Sequence, residues 1–344
     1  NHLDVSAKRW LLDELRSLPG ALLVVSHDLR LLDEAITKVL HLADGRIRQF
    51  KGTYTSFRSQ LALDTSQREK VSAMEGAQIR KMRSQADQWR HSTVAQARKA
   101  KILDRKVTKL QGSRTEVITR ERKVAFRLPE PRRSGAVPLV VADLAIAYGV
   151  HEVLFGVNFS VGRGERVVVV GRNGAGKSSL LRCLAGTQVP SAGSVELGYQ
   201  VVVGYFAQEH EQIDPGRTVL ENIDDTVLAK EVDRRKLLGS FGLTGGSADQ
   251  DPGSLSGGER ARLSLAMLAA GRANVLVLDE PTNNLDPASV EAVGAMLAGW
   301  PGTIVAVSHD RPFVEALAPT HALHLPEERH SLWRDEYLDD VELR

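Results

Sequence analysis

Eight residues, Gly171-Arg172-Asn173-Gly174-Ala175-Gly176-Lys177-Ser178, fit G-x-x-x-x-G-K-[ST] between the apolar run Val167 to Val170 and the helix-prone Ser179-Leu180-Leu181-Arg182-Cys183-Leu184. In a strand–loop–helix setting this pattern binds a polyphosphate. The glycines let backbone N–H groups turn inward around the anion, Lys177 can reach the β- and γ-phosphates, and the Ser178 hydroxyl can ligate Mg²⁺. The new helix adds its positive dipole end.

Four further strings follow: Gln208 in Gly204-Tyr205-Phe206-Ala207-Gln208, then Leu255-Ser256-Gly257-Gly258-Glu259, then Val275-Leu276-Val277-Leu278-Asp279-Glu280-Pro281, and last Ser308-His309-Asp310. Asp279 ends an apolar strand where a parallel sheet binds ligands, and from there it can hold Mg²⁺ through water. Glu280 is the candidate general base, since a carboxylate beside a bound metal can orient and polarise the attacking water. Ser256, Gly257 and Gly258 open a helix, so their N–H groups form a second anion site.

These positions call for an α/β architecture with a parallel sheet. At 344 residues the chain is long enough for two domains, and 42% hydrophobic with 26% charged residues is ordinary globular composition. The single Cys183 cannot form an internal disulfide and reads as a buried side chain in a reducing compartment, so a cytoplasmic location is expected. No run approaches 18 apolar residues, the longest candidate being Val137 to Ala147 with Pro138 and Asp143 in it. Neither a transmembrane span nor a signal pattern is expected.

Charge is segregated. Between Thr65 and Leu128 there are 17 Lys/Arg against 6 Asp/Glu, a net of +11 in a chain whose total is +2, so the remainder carries −9. In this stretch Val71, Met74, Met82 and Trp89 recur at near-helical spacing, and Leu103, Leu110 and Val117 recur every seven residues with Val107 between the first two. The pattern predicts two antiparallel helices packed along one seam, turning near Arg90 to Gln96, with Gly112-Ser113 at the end of the second. Trp89 fits the seam or base stacking. Arg122 to Leu128 alternates like a strand, and Pro129 to Gly135 reads as a linker.

An internal repeat organises the rest. Asp4 and His27 are 23 residues apart, as are Asp286 and His309, and Val25-Ser26-His27-Asp28 matches Val307-Ser308-His309-Asp310. His41 and Tyr54 lie 14 and 27 residues after His27, while His324 and Tyr337 lie 15 and 28 after His309. Before the basic stretch the chain predicts a helix over Asp4–Leu18, a strand over Ala21–Ser26, a helix over Asp28–Ile36 and short strands around 38–42 and 46–51. With Pro138 to Asn283 as ruler, roughly 145 residues of a first repeat would precede Asn1.

From Pro138 to about Leu338 the chain resembles an ATP-binding cassette domain, on the five motifs quoted. Two cassettes joined by a basic helical hairpin, with no membrane domain, resemble the ABC-F proteins. That resemblance implies residues 1–57 as the C-terminal remnant of a first cassette, 58–136 as the interdomain hairpin and 137–344 as a complete second cassette. It also implies ATP and Mg²⁺ as ligands. Catalytic roles fall on Glu280, His309 and Gln208, and metal binding on Ser178, Gln208 and Asp279. The nucleotide set is Tyr148, Gly171, Asn173, Gly174, Ala175, Gly176, Lys177, Ser178, Ser179, Ser256, Gly257, Gly258 and Asp286. Tyr148, 23 residues before Gly171, is placed to stack on adenine, or else is a core tyrosine.

Family members act mainly at the ribosome, where the hairpin reaches toward transfer RNA and the peptidyl-transferase centre; some are translation factors and others protect against antibiotics. The implied partners are therefore ribosomal and transfer RNA, together with the rest of the first cassette. The implied activity is ATP hydrolysis, weak in these 344 residues alone, because in cassette proteins each signature faces the phosphates held by the other cassette. The alternatives are a transporter ATPase subunit, a DNA-associated ATPase and a binding module without turnover.

Overall fold

Val167 to Val170 are each at most 3% exposed, and a strand covered on both faces belongs to a parallel sheet packed from both sides. The computed structural model describes residues 5–25, 29–43, 45–90, 93–112, 126–224, 226–327 and 329–342. The chain divides into two units, Leu15–Arg122 and the remainder.

In chain order the first elements are α1 (Val5–Ser17), α2 (Leu29–Glu34), β1 (Lys38–Ala43), β2 (Arg46–Lys51), α3 (Tyr54–Arg90) and α4 (Val94–Gly112). β1 and β2 form an antiparallel hairpin with Val39 opposite Phe50 and Leu42 opposite Ile47. The strand expected over Ala21–Ser26 is not formed: Ala21 to Val25 belong to no ladder, Val25 is 95% exposed, and Ser26 lies outside the described residues. A β-strand needs a hydrogen-bonded neighbour, and none is supplied among the described residues.

α3 and α4 pack on each other, with Arg90 bridging Asp87 and Asp104, each at 3.0 Å, beside the expected turn. Their seam agrees with the expected one at Val107 on α4 and departs from it on α3. Met74 is 73% exposed and Val71 is exposed, whereas Ser72, Gly76, Ile79 and Ala86 on α3 and Ala100 and Val107 on α4 are buried. Ser72, Ile79 and Ala86 keep a seven-residue repeat of mostly small side chains, which lets two helices approach closely. Met82, Trp89, Leu103 and Leu110 are half-buried at its margin, and Val117 lies outside the described residues. Ile79→Ala is expected to cost about 2–5 kcal/mol, read from the urea midpoint of the helical signal, while Met74→Ala changes it by about 0.5 kcal/mol or less.

The second unit contains β3 (Leu139–Tyr148), β4 (His151–Val161), β5 (Arg166–Gly171), α5 (Lys177–Leu184), β6 (Ala192–Leu197), β7 (Val203–Phe206), α6 (Glu231–Ser240) and α7 (Gly257–Ala270). It continues with β8 (Val275–Asp279), α8 (Pro287–Ala298), β9 (Thr303–Val307), α9 (Arg311–Leu317), β10 (His321–Leu325), β11 (Arg329–Leu332) and α10 (Tyr337–Glu342). A six-stranded sheet runs β11-β10-β5-β9-β8-β7, parallel except for β11, and a three-stranded antiparallel sheet runs β4-β3-β6.

Strand periodicity divides the interior into two cores. Val168, Val170, Leu276, Leu278, Ile304 and Ala306 face one core with the apolar sides of α7, α8 and α9. Val167, Val169, Val275, Val277, Val305 and Val307 face the other, with α5 and the small sheet. Each fully buried Val or Leu contributes roughly 1.5–3 kcal/mol relative to exposure.

Of the strand expected over Arg122–Leu128, Phe126 to Leu128 join no ladder, and Arg122 to Ala125 lie outside the described residues. Phe126 instead enters the first core and stacks on Phe241 at 4.8 Å. The Pro-rich stretch after it is held in place. Trp300 Nε1 donates to the Pro129 carbonyl at 3.0 Å and Asn274 Nδ2 to the Arg132 carbonyl at 3.2 Å.

Candidate active site

Because β5, β7, β8 and β9 are parallel, their carboxyl ends meet at one edge. That edge carries Gly171, then Gln208 just beyond β7, Asp279-Glu280, and Ser308-His309. The phosphate loop runs thin there for steric reasons. A Cβ on Gly171 would sit 2.5 Å from the Leu325 carbonyl oxygen, and one on Gly176, whose φ is +88°, would sit 2.8 Å from both Val153 and Leu154 side chains. Gly176 precedes α5 without a side-chain cap, and the first turn holds no acidic residue. The helix therefore presents unsatisfied N–H groups to an anion. Asn173, Gly174 and Ala175 form the turn, and Lys177, 8% exposed, donates from Nζ to the carbonyls of Gly171 at 2.5 Å and Arg172 at 3.3 Å.

Asp279 is 2% exposed and lies beside the Ser178 hydroxyl, which favours its ionised form; its Oδ1 is buried with no hydrogen-bond partner among the described residues. Burial pushes its pKa up, against the opposing effects of Ser178, Arg182 and Lys177. An orphaned carboxylate oxygen beside a hydroxyl fits one side of a Mg²⁺ shell. No group of three or more His, Cys, Asp and Glu placed to hold a metal ion occurs among the described residues. The ion would thus be held by Ser178, Asp279, water and the nucleotide's own phosphates, as Mg²⁺ usually is.

Glu280 is 7% exposed with φ +50°, a backbone state that costs a non-glycine residue on the order of 1–3 kcal/mol. Its N–H donates to the Val307 carbonyl at 2.9 Å, so the turn is fixed by β9. Desolvation pushes the carboxyl up to about 7, with Asp279 and Asp310 adding to the effect and the His309 N–H and Lys177 opposing it. His309 approaches both oxygens: its backbone N–H donates to Oε2 at 3.2 Å, and Nε2 lies 3.2 Å from Oε1. His309 Nδ1 is 3.4 Å from the Val341 carbonyl. A proton on Nδ1 would leave Nε2 to face the carboxyl as acceptor.

Tyr148 ends β3 half exposed, its hydroxyl 3.0 Å from both Ser179 Oγ and Gln188 Oε1. This sets the ring beside the phosphate-loop helix. Gln208 is half-buried in the turn after β7. The serine–glycine motif opens α7. Ser256 caps α7 in a reciprocal box with Glu259, and a Cβ on Gly257 or Gly258 would meet Asn284 at 3.2 and 3.0 Å. Asp286 accepts from the Ser289 N–H at 3.0 Å and hydroxyl at 2.6 Å, which makes it a cap at the start of α8.

The motifs gave no indication of three further residues. Arg182 on α5, Tyr205 on β7 and Glu211 after Gln208 form a polar group beside Asp279. No spacing rule marks them, since they meet only through the sheet order. The same holds for His210, which packs edge-on against Phe206, lies 3.2 Å from Ser264 Oγ, and is lowered to about 4 by burial and by Arg260.

Two family models, both described as ABC transporter, match residues 154–283 and 40–126. The energy-dependent translational throttle protein EttA of Mycobacterium tuberculosis is 34% identical over 94% of this chain and 58% of its own length. A probable ATP-binding cassette sub-family F member 3 homolog of Encephalitozoon cuniculi is 34% identical over 92% of this chain and 56% of its own length. The chain thus spans a little over half the length of these relatives. In fold it is similar to the ATP-binding cassette MJ0796, solved as a dimer bound to ADP and Pi, with a TM-score of 0.50 at 23% identity over 57% of this chain and 99% of that one. With its phosphate loop, carboxylate pair and doubly covered sheet, this chain belongs to the ATP-binding cassette proteins, and within them to the ABC-F subfamily. No helix among the described residues is long and apolar enough to cross a membrane.

Proposed function

We propose that this chain binds Mg·ATP, hydrolyses it as part of a two-cassette assembly, and acts on the ribosome through its basic hairpin. The observation that carries the catalytic reading is the convergence of Lys177, Ser178, Asp279, Glu280 and His309 at one sheet edge. The phosphate loop and Lys177 grip the polyphosphate, and Tyr148 flanks the base. Ser178, Asp279 and Gln208 would hold Mg²⁺, which when bound would supply positive charge against the phosphates. Glu280 orients the attacking water and takes its proton, and His309 fixes that carboxylate and faces the γ-phosphate. Ser256, Gly257 and Gly258 offer N–H groups to a nucleotide held by another cassette, with Asp286 in the adjoining loop.

The ribosomal reading is supported by the net +11 of residues 65–128 and by the translational role in the name of the mycobacterial relative. Exposed Arg80, Lys81 and Arg83 on α3 and Lys99, Lys101, Arg105 and Lys106 on α4 supply charge for phosphate contacts. Sedimentation of the Glu280→Gln variant through sucrose with ribosomes, with and without ATP, tests it. ATP-dependent co-migration is expected, weakening with salt, and each lysine or arginine replaced by glutamine at a phosphate contact lowers the log–log salt slope by about one. Recovery in a membrane or DNA fraction instead would reject the ribosomal reading and leave the cassette chemistry standing. Whether the role is general translation or antibiotic protection is decided by whether the protein alters drug occupancy on those ribosomes.

A further inference from the structure

Gln208 sits in a tight turn, in which the His210 N–H donates to the Ala207 carbonyl at 3.1 Å. Both flanks of that turn lie beside one side chain. Three residues before Gln208, the Tyr205 hydroxyl lies close enough to Arg182 for each to influence the other's titration. Three residues after it, Glu211 Oε1 accepts from Arg182 Nη2 at 3.0 Å. Arg182 lies on α5, five residues beyond Lys177 on the helix that the phosphate loop opens. Its guanidinium also lies near enough to Asp279 to favour that carboxylate's ionised form. Burial and Asp279 push the Tyr205 hydroxyl up to about 12, so it stays neutral beside the guanidinium.

We propose that Arg182 is a positioning residue: by holding Glu211, with Tyr205 beside it, it fastens the Gln208 turn to the phosphate-loop helix and sets Gln208 at the metal–phosphate edge. This deepens the reading of the site as a Mg·ATP site and rests on it. The planar guanidinium suits the task, because its fork can engage two acceptors on different segments at once, which a lysine ammonium does less rigidly. The Arg182–Glu211 pair has side chains 38% and 51% exposed. It is a weak fastening, one that can be broken without unfolding the sheet.

The test is a titration of the full chain with a fluorescent ATP analogue, with and without Mg²⁺, for wild type, Glu211→Gln, Arg182→Lys, Gln208→Ala and the Glu211→Gln/Gln208→Ala double variant. Glu211→Gln is expected to weaken Mg²⁺-dependent binding by about fivefold, the upper range for an exposed pair, and to leave Mg²⁺-free binding unchanged. Arg182→Lys should fall between it and wild type. In the double variant the Glu211 substitution should add nothing to the loss caused by Gln208→Ala, a non-additivity that general loosening of the loop would not produce. Unchanged Mg²⁺ dependence in Glu211→Gln, or additive losses, overturns the proposal while the nucleotide site stands. If wild type binds no nucleotide, the reading of the whole site fails. If only Gln208→Ala is silent, the assignment of Gln208 fails and the fastening with it.

Discussion

Replacing Glu280 by Gln lowers the rate of ATP hydrolysis by at least about 100-fold, the lower range for loss of a general base, while Mg·ATP remains bound. Glutamine keeps the shape and can still accept from the His309 N–H, but it cannot take a proton from water. The wild-type profile should carry the same signature. A base whose pKa is raised to about 7 is protonated below that value, so hydrolysis falls as pH drops through about 7. A stopped phosphate-release assay between pH 5.5 and 8.5 reads both effects, and a profile flat through 7 would remove Glu280 from the role.

Stability runs in the opposite direction to activity at this residue. The folded-state pKa lies above the ordinary glutamate value of 4.5, so folding favours the protonated form. That contribution is fully present below about 4.5 and is lost as pH rises through about 7. At pH 8 the ionised carboxylate is held buried at a cost of roughly 3 kcal/mol. Glu280→Gln should therefore raise the thermal midpoint at pH 8 and lose that advantage near pH 4.5.

Lys177→Ala weakens Mg·ATP binding by roughly 10- to 150-fold, the range expected for losing a hydrogen bond to a charged group. Lys177 favours the ionised forms of both Asp279 and Glu280. Its removal should thus also shift the pH profile of any residual hydrolysis upward. Equilibrium titration with the fluorescent analogue at pH 8 measures the first effect, and affinity within threefold of wild type would show that the ammonium does not reach the phosphates.

The candidate site at the sheet edge is legible because its residues lie in short local strings. A strand, a glycine loop and a lysine must be contiguous to wrap a phosphate, and Asp279-Glu280 must leave one strand together. What was not legible depends on neighbours in space. The hairpin seam is chosen by how closely two backbones approach, which favours Ser72, Gly76 and Ala86 over the larger Met74. Arg182, Tyr205 and Glu211 meet only because α5 lies against the sheet near β7. Asp286 stands within a recognisable loop, yet its carboxylate is engaged in capping, a competition for lone pairs that no linear pattern reveals. The expected strand at Ala21–Val25 shows the same dependence, since its residues have strand propensity and no ladder.

α3 is a single helix of 37 residues, Tyr54 to Arg90, which at 1.5 Å per residue is about 55 Å long. It is therefore a lever arm. A swing of about 10° at its Tyr54 end would sweep the Arg90 end through roughly 10 Å for a rod of that length. Ångström-scale rearrangement at the foot would become nanometre-scale travel at the tip, and the packing of α4 along the rod would oppose its bending.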